Sequence, residues 1–286
     1  MDVQCDRYVT TSEIRTYLRC REEHRYAYLL KIRPRIDNEK LTFGARMHEL
    51  LADFYTVGVS SDRSRNIEIN SSAAAQQAAM MALYREKPLS KSGETTIKAV
   101  EMIFEISDNG HIFAGKIDLI VMIDQKLVLV EHKTTSSNIN VGEDYWTTIY
   151  MDDQISNYIE GAMTLGYKID RCIYDVLKRP TLRKKSAETF VDYYYRCREQ
   201  LFAHGDQFLQ RRIIYLSEEQ KERAQRDRLA MEQEILSIDP DQQQPRTVQS
   251  CRRYGSLCPY LPLCLRETGV NDERYTRIER KHIELC

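Results

Sequence analysis

What this chain lacks bounds it before any motif is read. No apolar run reaches the ~18 residues that a membrane-spanning helix needs. The N-terminal stretch holds no apolar core of the kind a secretory leader carries, so no leader is expected. The expected location is the cytoplasm, or a host's cytoplasm for a viral chain. Net charge is only −1, so no overall field draws the molecule to polyanions, and any such contact must come from a local patch. Internal repeats and low-complexity linkers are absent. So is a G-x-x-x-x-G-K-[ST] phosphate loop, which leaves ATP-driven work to another protein. What remains is the profile of a folded globular chain: 286 residues, 42% hydrophobic and 30% charged, long enough for one large domain or two small ones.

The residue pattern predicts helices at both ends and strands between them. Residues 11–31 read as a helix with Thr11 or Ser12 as N-cap and Glu13 shortly after, ended by Pro34. Residues 40–56 have helical periodicity, and the Ala-rich 71–86 is a strong helix former. Residues 98–106, 111–123 and 126–133 are β-branched and apolar, with turns at Asn109-Gly110 and Asp124-Gln125. A helix over 150–166, a strand over 171–178 and mostly long polar helices over 186–236 follow, and 240–264 reads as a loop. That order fits a single α/β domain with a helical flank at each end.

The sharpest local signal lies in the second hairpin. With Asp124-Gln125 as a two-residue turn, Ile123 faces Lys126, and five steps further along each strand Asp118 faces Glu131. Directly opposed residues share a sheet face, with Cβ atoms about 4.5–5.5 Å apart. Lys133, two residues beyond Glu131, shares that face. Two carboxylates among such apolar neighbours are costly unless protons or a cation compensate them. A divalent cation suits hard oxygen ligands, polarises a phosphoryl oxygen and lowers the pKa of bound water, and a lysine beside it can stabilise developing charge. The plainer alternative is a Glu131–Lys133 ion pair on an edge strand, and a one-residue register slip would separate the faces.

Eight cysteines are many for a cytosolic protein, where disulfides are disfavoured. Cys251, Cys258 and Cys264 fall close together, whereas Cys5, Cys20, Cys172, Cys197 and Cys286 lie apart. Three thiolates are one short of a closed tetrahedral site. Zinc and plain buried thiols are both open readings, although the spacings are longer than the usual zinc knuckle, which favours a bulkier group. A basic run from Arg171 to Lys185 holds Lys178, Arg179, Arg183, Lys184 and Lys185; it is a solvated face or a phosphate-binding rim. The 18 tyrosines, with Tyr193, Tyr194 and Tyr195 in a row, suit either base stacking or core packing.

Taken together, these residues are familiar. Asp118 in one strand followed by Glu131-x-Lys133 in the next resembles the PD-(D/E)XK nuclease superfamily. Gly44-x-x-x-His48 in an early helix and Gln154-x-x-x-Tyr158 resemble its RecB-like branch, which includes CRISPR-associated exonucleases. The resemblance spans roughly residues 10–265, with Ile117-Asp118 in place of the Pro-Asp dipeptide, and residues 186–250 match only in being helical. It implies a restriction-endonuclease-like core: a mixed central β-sheet flanked by helices. A helical N-terminal part (1–97) and a helical C-terminal part (186–286) would flank the catalytic sheet (98–185) in a single domain of residues 1–286. It implies that His48, Asp118, Glu131 and the backbone carbonyl of His132 hold Mg²⁺ or Mn²⁺, that Lys133 is catalytic, and that Gln154 and Tyr158 contact DNA or position the site. It implies a [4Fe–4S] cluster on Cys20, Cys251, Cys258 and Cys264 joining the two helical ends. Lys178, Arg179 and Arg183 would meet DNA phosphates. The expected activity is a metal-dependent exonuclease, with endonuclease activity as an extension, acting on DNA that is single-stranded or presented as ends, in repair, recombination or CRISPR adaptation beside a helicase or other partner. A DNA-binding or assembly module with a dormant nuclease fold is the alternative from another class.

Overall fold

The computed structural model describes residues 7–35, 39–57, 67–90, 95–108, 110–149, 151–253, 256–279 and 285. Asn109 of the first expected turn, Cys5 and Cys286 lie outside them. In chain order the elements are β1 (Tyr8–Val9), α1 (Thr11–Arg19), α2 (Arg21–His24), β2 (Ile32–Pro34), α3 (Glu39–Val57), α4 (Ser72–Arg85), β3 (Thr95–Asp108), β4 (His111–Ile123), β5 (Lys126–Thr135), α5 (Asp144–Ile149), α6 (Gln154–Thr164), β6 (Arg171–Lys178), α7 (Phe190–Ala203), α8 (Gly205–Phe208), β7 (Leu209–Ile214), α9 (Glu218–Leu236), β8 (Arg252–Arg253), β9 (Ser256–Leu257), α10 (Leu261–Cys264) and β10 (Tyr275–Arg277). The chain forms two compact units: residues 38–104 with 116–221, and residues 1–37 with 105–115 and 222–286. The long strands β3 and β4 each run from one unit into the other.

The unit of residues 38–104 and 116–221 is built on a mixed sheet. β4 and β5 pair antiparallel, β5 and β6 parallel, and β6 and β7 antiparallel. The turn between β4 and β5 has positive φ at both central residues, Asp124 (50°) and Gln125 (61°). That is the backbone a two-residue hairpin requires to match strand twist. It sets the expected register, with Ile123 opposite Lys126 and Leu119 opposite Val130. Leu119, Val121, Ile123, Val128, Val130 and Ile173 form one buried cluster. A second cluster joins α3, α4 and α7 through Met47, Leu51, Met80, Tyr84, Tyr193 and Leu201. The Ala-rich α4 begins where expected, with Ser71 Oγ accepting from Ala74 N at 3.1 Å.

Three expectations gain detail or correction. The region 186–236 is mostly helix, as expected, but β7 intervenes and pairs with β6. Its Arg211 and Arg212 look like helix-surface residues in sequence, but Arg211 donates to the buried Asp175 at 2.8 Å. The helix expected over 150–166 is α6, which starts only at Gln154; a separate short helix, α5, ends at Ile149, and in the turn between them Asp152 Oδ1 accepts from Gln154 N at 3.0 Å. The N-terminal helix is capped by Thr10, whose Oγ1 accepts from Glu13 N at 3.2 Å, so neither Thr11 nor Ser12 is the cap. It also breaks at Cys20, which is extended (φ −162°, ψ 113°), before α2 and a π-turn over Arg25–Leu29.

That break belongs to the second unit. Here β1 pairs parallel with the start of β4, and β2 pairs with β10. Tyr26, Ala27, Ile32, Tyr260, Leu263 and Tyr275 form its core. Buried polar contacts stiffen it: a Glu13–His24 hydrogen bond at 2.8 Å, and ion pairs of Glu22 with Arg25 at 2.7 Å and Arg228 with Glu232 at 2.7 Å. No helix among the described residues is long and apolar enough to cross a membrane.

Candidate active site

The β-ladder delivers the carboxylates to one place. Asp118 and Glu131 are the next pair along the β4–β5 register, and both are buried, at 8% and 1% exposure. Asp118 is held from two sides: Oδ2 accepts from the His132 backbone N–H at 2.9 Å, and Oδ1 lies 3.2 Å from His48 Nδ1 on α3. Glu131 Oε1 accepts from Lys133 Nζ at 2.5 Å and from Gln154 Nε2 at 2.8 Å. Lys133 donates in turn to Gln154 Oε1 at 2.9 Å, and Gln154 donates to Tyr158 OH at 2.8 Å. One face of the sheet, the first turn of α6 and one residue of α3 thus bring together His48, Asp118, Glu131, Lys133, Gln154 and Tyr158.

Gln154 bridges the acid and the lysine because α6 starts at that residue and docks tightly. Gly161, two turns on, has no room for a side chain: a Cβ there would lie 2.1 Å from Phe104, whose ring packs edge-on to Tyr158 at 5.6 Å. Gly44 is different, since a Cβ there would meet nothing within 4 Å.

The electrostatics are those of a centre short of positive charge. Burial pushes the Glu131 carboxyl up to about 7, against the pull of Lys133 and with the push of Asp118. Burial also works to raise Asp118, yet the adjoining His48 imidazole holds it below its usual value. Burial would lower His48 and Lys133, but Asp118 raises the first and Glu131 the second. Glu131 Oε2 is buried with no hydrogen-bond partner. A buried carboxylate oxygen left unmet is costly, and a divalent cation would satisfy it.

A donor set for such an ion is present. Ligand atoms of His48, Glu101 and Asp118 all lie within 4.8 Å of one another. Glu101 is the residue that sequence reading missed. Its signal was available: β3 ends at Asp108 and β4 begins at His111, and seven steps along each strand from those ends lead to Glu101 and Asp118.

A second missed feature lies on the opposite face of the sheet, behind the acids. His132 pairs with Asp175 in the ladder, and Asp175 with Arg211. Asp175, fully buried, accepts from Tyr84 OH at 2.6 Å and Arg211 Nε at 2.8 Å, and its Oδ2 lies 3.1 Å from His132 Nδ1. Tyr55 stacks on the His132 ring at 5.9 Å. The His132 side chain therefore packs behind the strand, while its backbone N–H serves the centre in front.

The three basic residues expected at a DNA rim stand in different settings. Arg179 donates to Gln76 at 2.8 Å and lies 3.9 Å from the Phe43 ring centre, and Lys178 lies 5.6 Å from that of Phe208. Arg183 is exposed. Of the tyrosine run, Tyr193 is core and Tyr195 is exposed.

In the other unit Cys20, Cys251, Cys258 and Cys264 line one cavity with Glu23, Arg246 and Tyr260. Local structure accounts for each position. Cys20 occupies the break between α1 and α2. Cys251 ends a 3₁₀ turn, and its carbonyl accepts from Cys258 N at 2.8 Å across the β8–β9 pair. Cys264 ends α10. Burial pushes the Cys258 and Cys264 thiols up to about 11. Among the described residues these thiols do not gather into a single-ion donor group as His48, Glu101 and Asp118 do. Cys172 and Cys197 are buried and raised by the same effect, as packing residues are.

The family model of the PD-(D/E)XK nuclease superfamily matches residues 8–265. A solved structure described as "Putative exonuclease", from Eubacterium rectale, is similar over 93% of this chain and 90% of that chain, at 14% identity and a TM-score of 0.52, a likeness of fold. The structure of SSO0001 aligns over 80% of this chain and 98% of that one at 14% identity, but its TM-score of 0.33 carries no argument. No curated protein matches.

Proposed function

Since the chain belongs to the PD-(D/E)XK nuclease superfamily, we propose that it is a metal-dependent exonuclease of the RecB-like branch, hydrolysing phosphodiester bonds from single-stranded DNA ends. The observation that carries this reading is the closed hydrogen-bonded set of Glu131, Lys133 and Gln154 beside Asp118 and His48. A retired site has no reason to keep an orphaned buried carboxylate oxygen.

His48, Asp118, Glu131 and the His132 carbonyl are the proposed holders of Mg²⁺ or Mn²⁺, a hard cation matched to oxygen and imidazole donors. When bound, the cation supplies Lewis-acid polarisation of a phosphoryl oxygen and a lowered pKa for water. Lys133, kept protonated by Glu131, donates to the attacking water or to a non-bridging phosphate oxygen. Gln154 is the positioning residue that fixes Lys133 against Glu131, and Tyr158 fixes Gln154. Arg183, with Lys178 beside the sheet, binds phosphates without reading sequence, whereas Arg179 is committed to Gln76 and Phe43.

The cavity lined by Cys20, Cys251, Cys258 and Cys264 is proposed to hold a [4Fe–4S] cluster. Four thiols on one cavity and spacings of six and five residues between the last three, longer than a zinc knuckle, support that reading; burial raises the Cys258 thiol, so thiolates there need a bound cationic group. Its role is structural, closing the second unit on itself. Unwinding would come from a helicase, recombination or CRISPR partner.

The test is release of nucleotides from single- and double-stranded DNA with Mg²⁺ or Mn²⁺, lost in Asp118→Ala and Lys133→Ala. Equal digestion by those variants would remove the site assignment. A parent protein that binds DNA but is inert with every divalent metal would make it a binding module instead. Anaerobically purified protein is expected to be brown; a colourless sample with stoichiometric zinc overturns the cluster.

A further inference from the structure

Glu101 stands near His48 and Asp118 but outside the ligand set that the resemblance implies, and three observations draw it into the centre. It adopts φ +50° in the middle of β3, a left-handed backbone that non-glycine residues rarely take in a strand. Such kinks beside active sites re-aim a side chain. Its carboxylate then lies within 4.8 Å of ligand atoms of both His48 and Asp118. Across from Asp118 in the ladder, Glu131 contributes Oε2, an oxygen without a partner on a residue 99% buried, given its 1% exposure. Glu101 also forms an ion pair with Lys116, the residue two before Asp118. The Glu101 side chain is 27% exposed and that of Lys116 37%, so the pair sits at the mouth of the centre rather than in the core.

We propose that Glu101 is a third carboxylate ligand of the divalent cation, and that Lys116 competes with the cation for it. This rests on the metal-centre reading above and extends it. The geometry asks for no rearrangement of the sheet, since the three donors already converge. Loading the site exchanges one cation for another on Glu101: the ammonium swings out through its exposed side, and the metal takes its place. A third carboxylate raises the negative charge around the ion. Lys116 keeps that charge neutralised at low metal concentration, so the site discriminates by charge as well as by shape.

A plain cross-strand salt bridge would behave differently. Removing either partner of a salt bridge lowers stability, and neither change affects metal affinity. Under the proposal the two variants move Mn²⁺ affinity in opposite directions. The experiment is titration of the full-length protein with Mn²⁺, followed by the EPR signal of free Mn²⁺, with melting temperature as a check on folding. Glu101→Gln is expected to weaken binding on the order of 10- to 100-fold, and Glu101→Asp to recover part of the loss. Lys116→Gln is expected to tighten binding roughly 10- to 30-fold, the effect of removing one unit charge about 4–5 Å from a divalent ion in a water-like dielectric. Asp118→Asn should abolish binding. Parental affinity in Glu101→Gln, with binding lost in Asp118→Asn, overturns the proposal and leaves the metal centre standing. Weaker binding in Lys116→Gln overturns the competition. Parental affinity in Asp118→Asn sinks the centre itself.

Discussion

The carboxylate centre and the cysteine cavity are two ways to assemble a site from one chain. In the first, hydrogen-bond register does the work: Asp118, Glu131 and Lys133 lie within sixteen residues on paired strands, and a positive-φ turn sets which of them face each other. In the second, remote segments must meet. Ser250 Oγ donates to the Arg19 carbonyl at 3.0 Å across 231 residues of chain, beside two of the cysteines. The carboxylate centre is hard, preorganised and buried in a close-packed sheet, so it should outlast loss of its ion. The cysteine cavity is lined by residues from segments far apart in the chain, so its order should depend on what it holds.

The largest effect is expected from paired variants. Glu131→Gln should lower nuclease activity on the order of 10²–10³-fold with a nearly parental melting temperature. If the cavity holds the proposed cluster, Cys258→Ser should bind no iron and melt roughly 8 °C lower or more, since loss of a structural metal centre costs upwards of ~4 kcal/mol and 1 kcal/mol moves Tm by about 2–4 °C in large domains. Calorimetry and activity on the two proteins check both halves; a Cys258→Ser protein that melts like the parent removes the structural role.

Proton linkage comes next. Because burial raises Glu131 to about 7, a cation must displace a proton below that pH. Mn²⁺ affinity should therefore fall as pH drops below about 7, by about tenfold per unit where one proton is displaced. The same shift has a stability sign. Between the ordinary carboxyl value of 4.5 and about 7, the folded metal-free protein binds more protons at Glu131 than the unfolded chain does. Its contribution to stability is thus lost as pH rises through that window, and Glu131→Gln should flatten the slope. The cysteine cavity predicts no such Mn²⁺ profile.

The two glycines give the smaller effects. Gly161→Ala must push Phe104 aside, at a cost of about 1–3 kcal/mol. It should shift α6 and slow the reaction through Gln154 and Tyr158, read as a fall in kcat. Gly44→Ala meets nothing. It should leave activity unchanged and add up to ~1 kcal/mol of helix stability by thermal melt; a drop in DNA affinity there would show that DNA passes close to α3.

The hairpin, with its acids and lysine, was legible in the sequence because strand alternation and a two-residue turn are local rules. Counting residues from Asp124-Gln125 was enough to oppose Asp118 and Glu131. The same count from the preceding turn leads to Glu101, which went unread because no motif drew attention to it. β7 was not legible. Its Arg211 looks like a solvent-facing residue until Asp175 is brought beside it, and that pairing is a property of the sheet and not of either segment.

Local rules in the chain are therefore enough for the α/β class and the β4–β5 register. Period-two alternation, turn chemistry and metal-ligand chemistry each act over short stretches of chain. Only the tertiary structure decided that His48 reaches Asp118 from α3, that Gln154 clamps Lys133 to Glu131, and that Cys20 shares a cavity with three cysteines near the other end. Those approaches depend on how helices dock and where a helix breaks. Packing of distant surfaces sets them, and no window of sequence contains both surfaces.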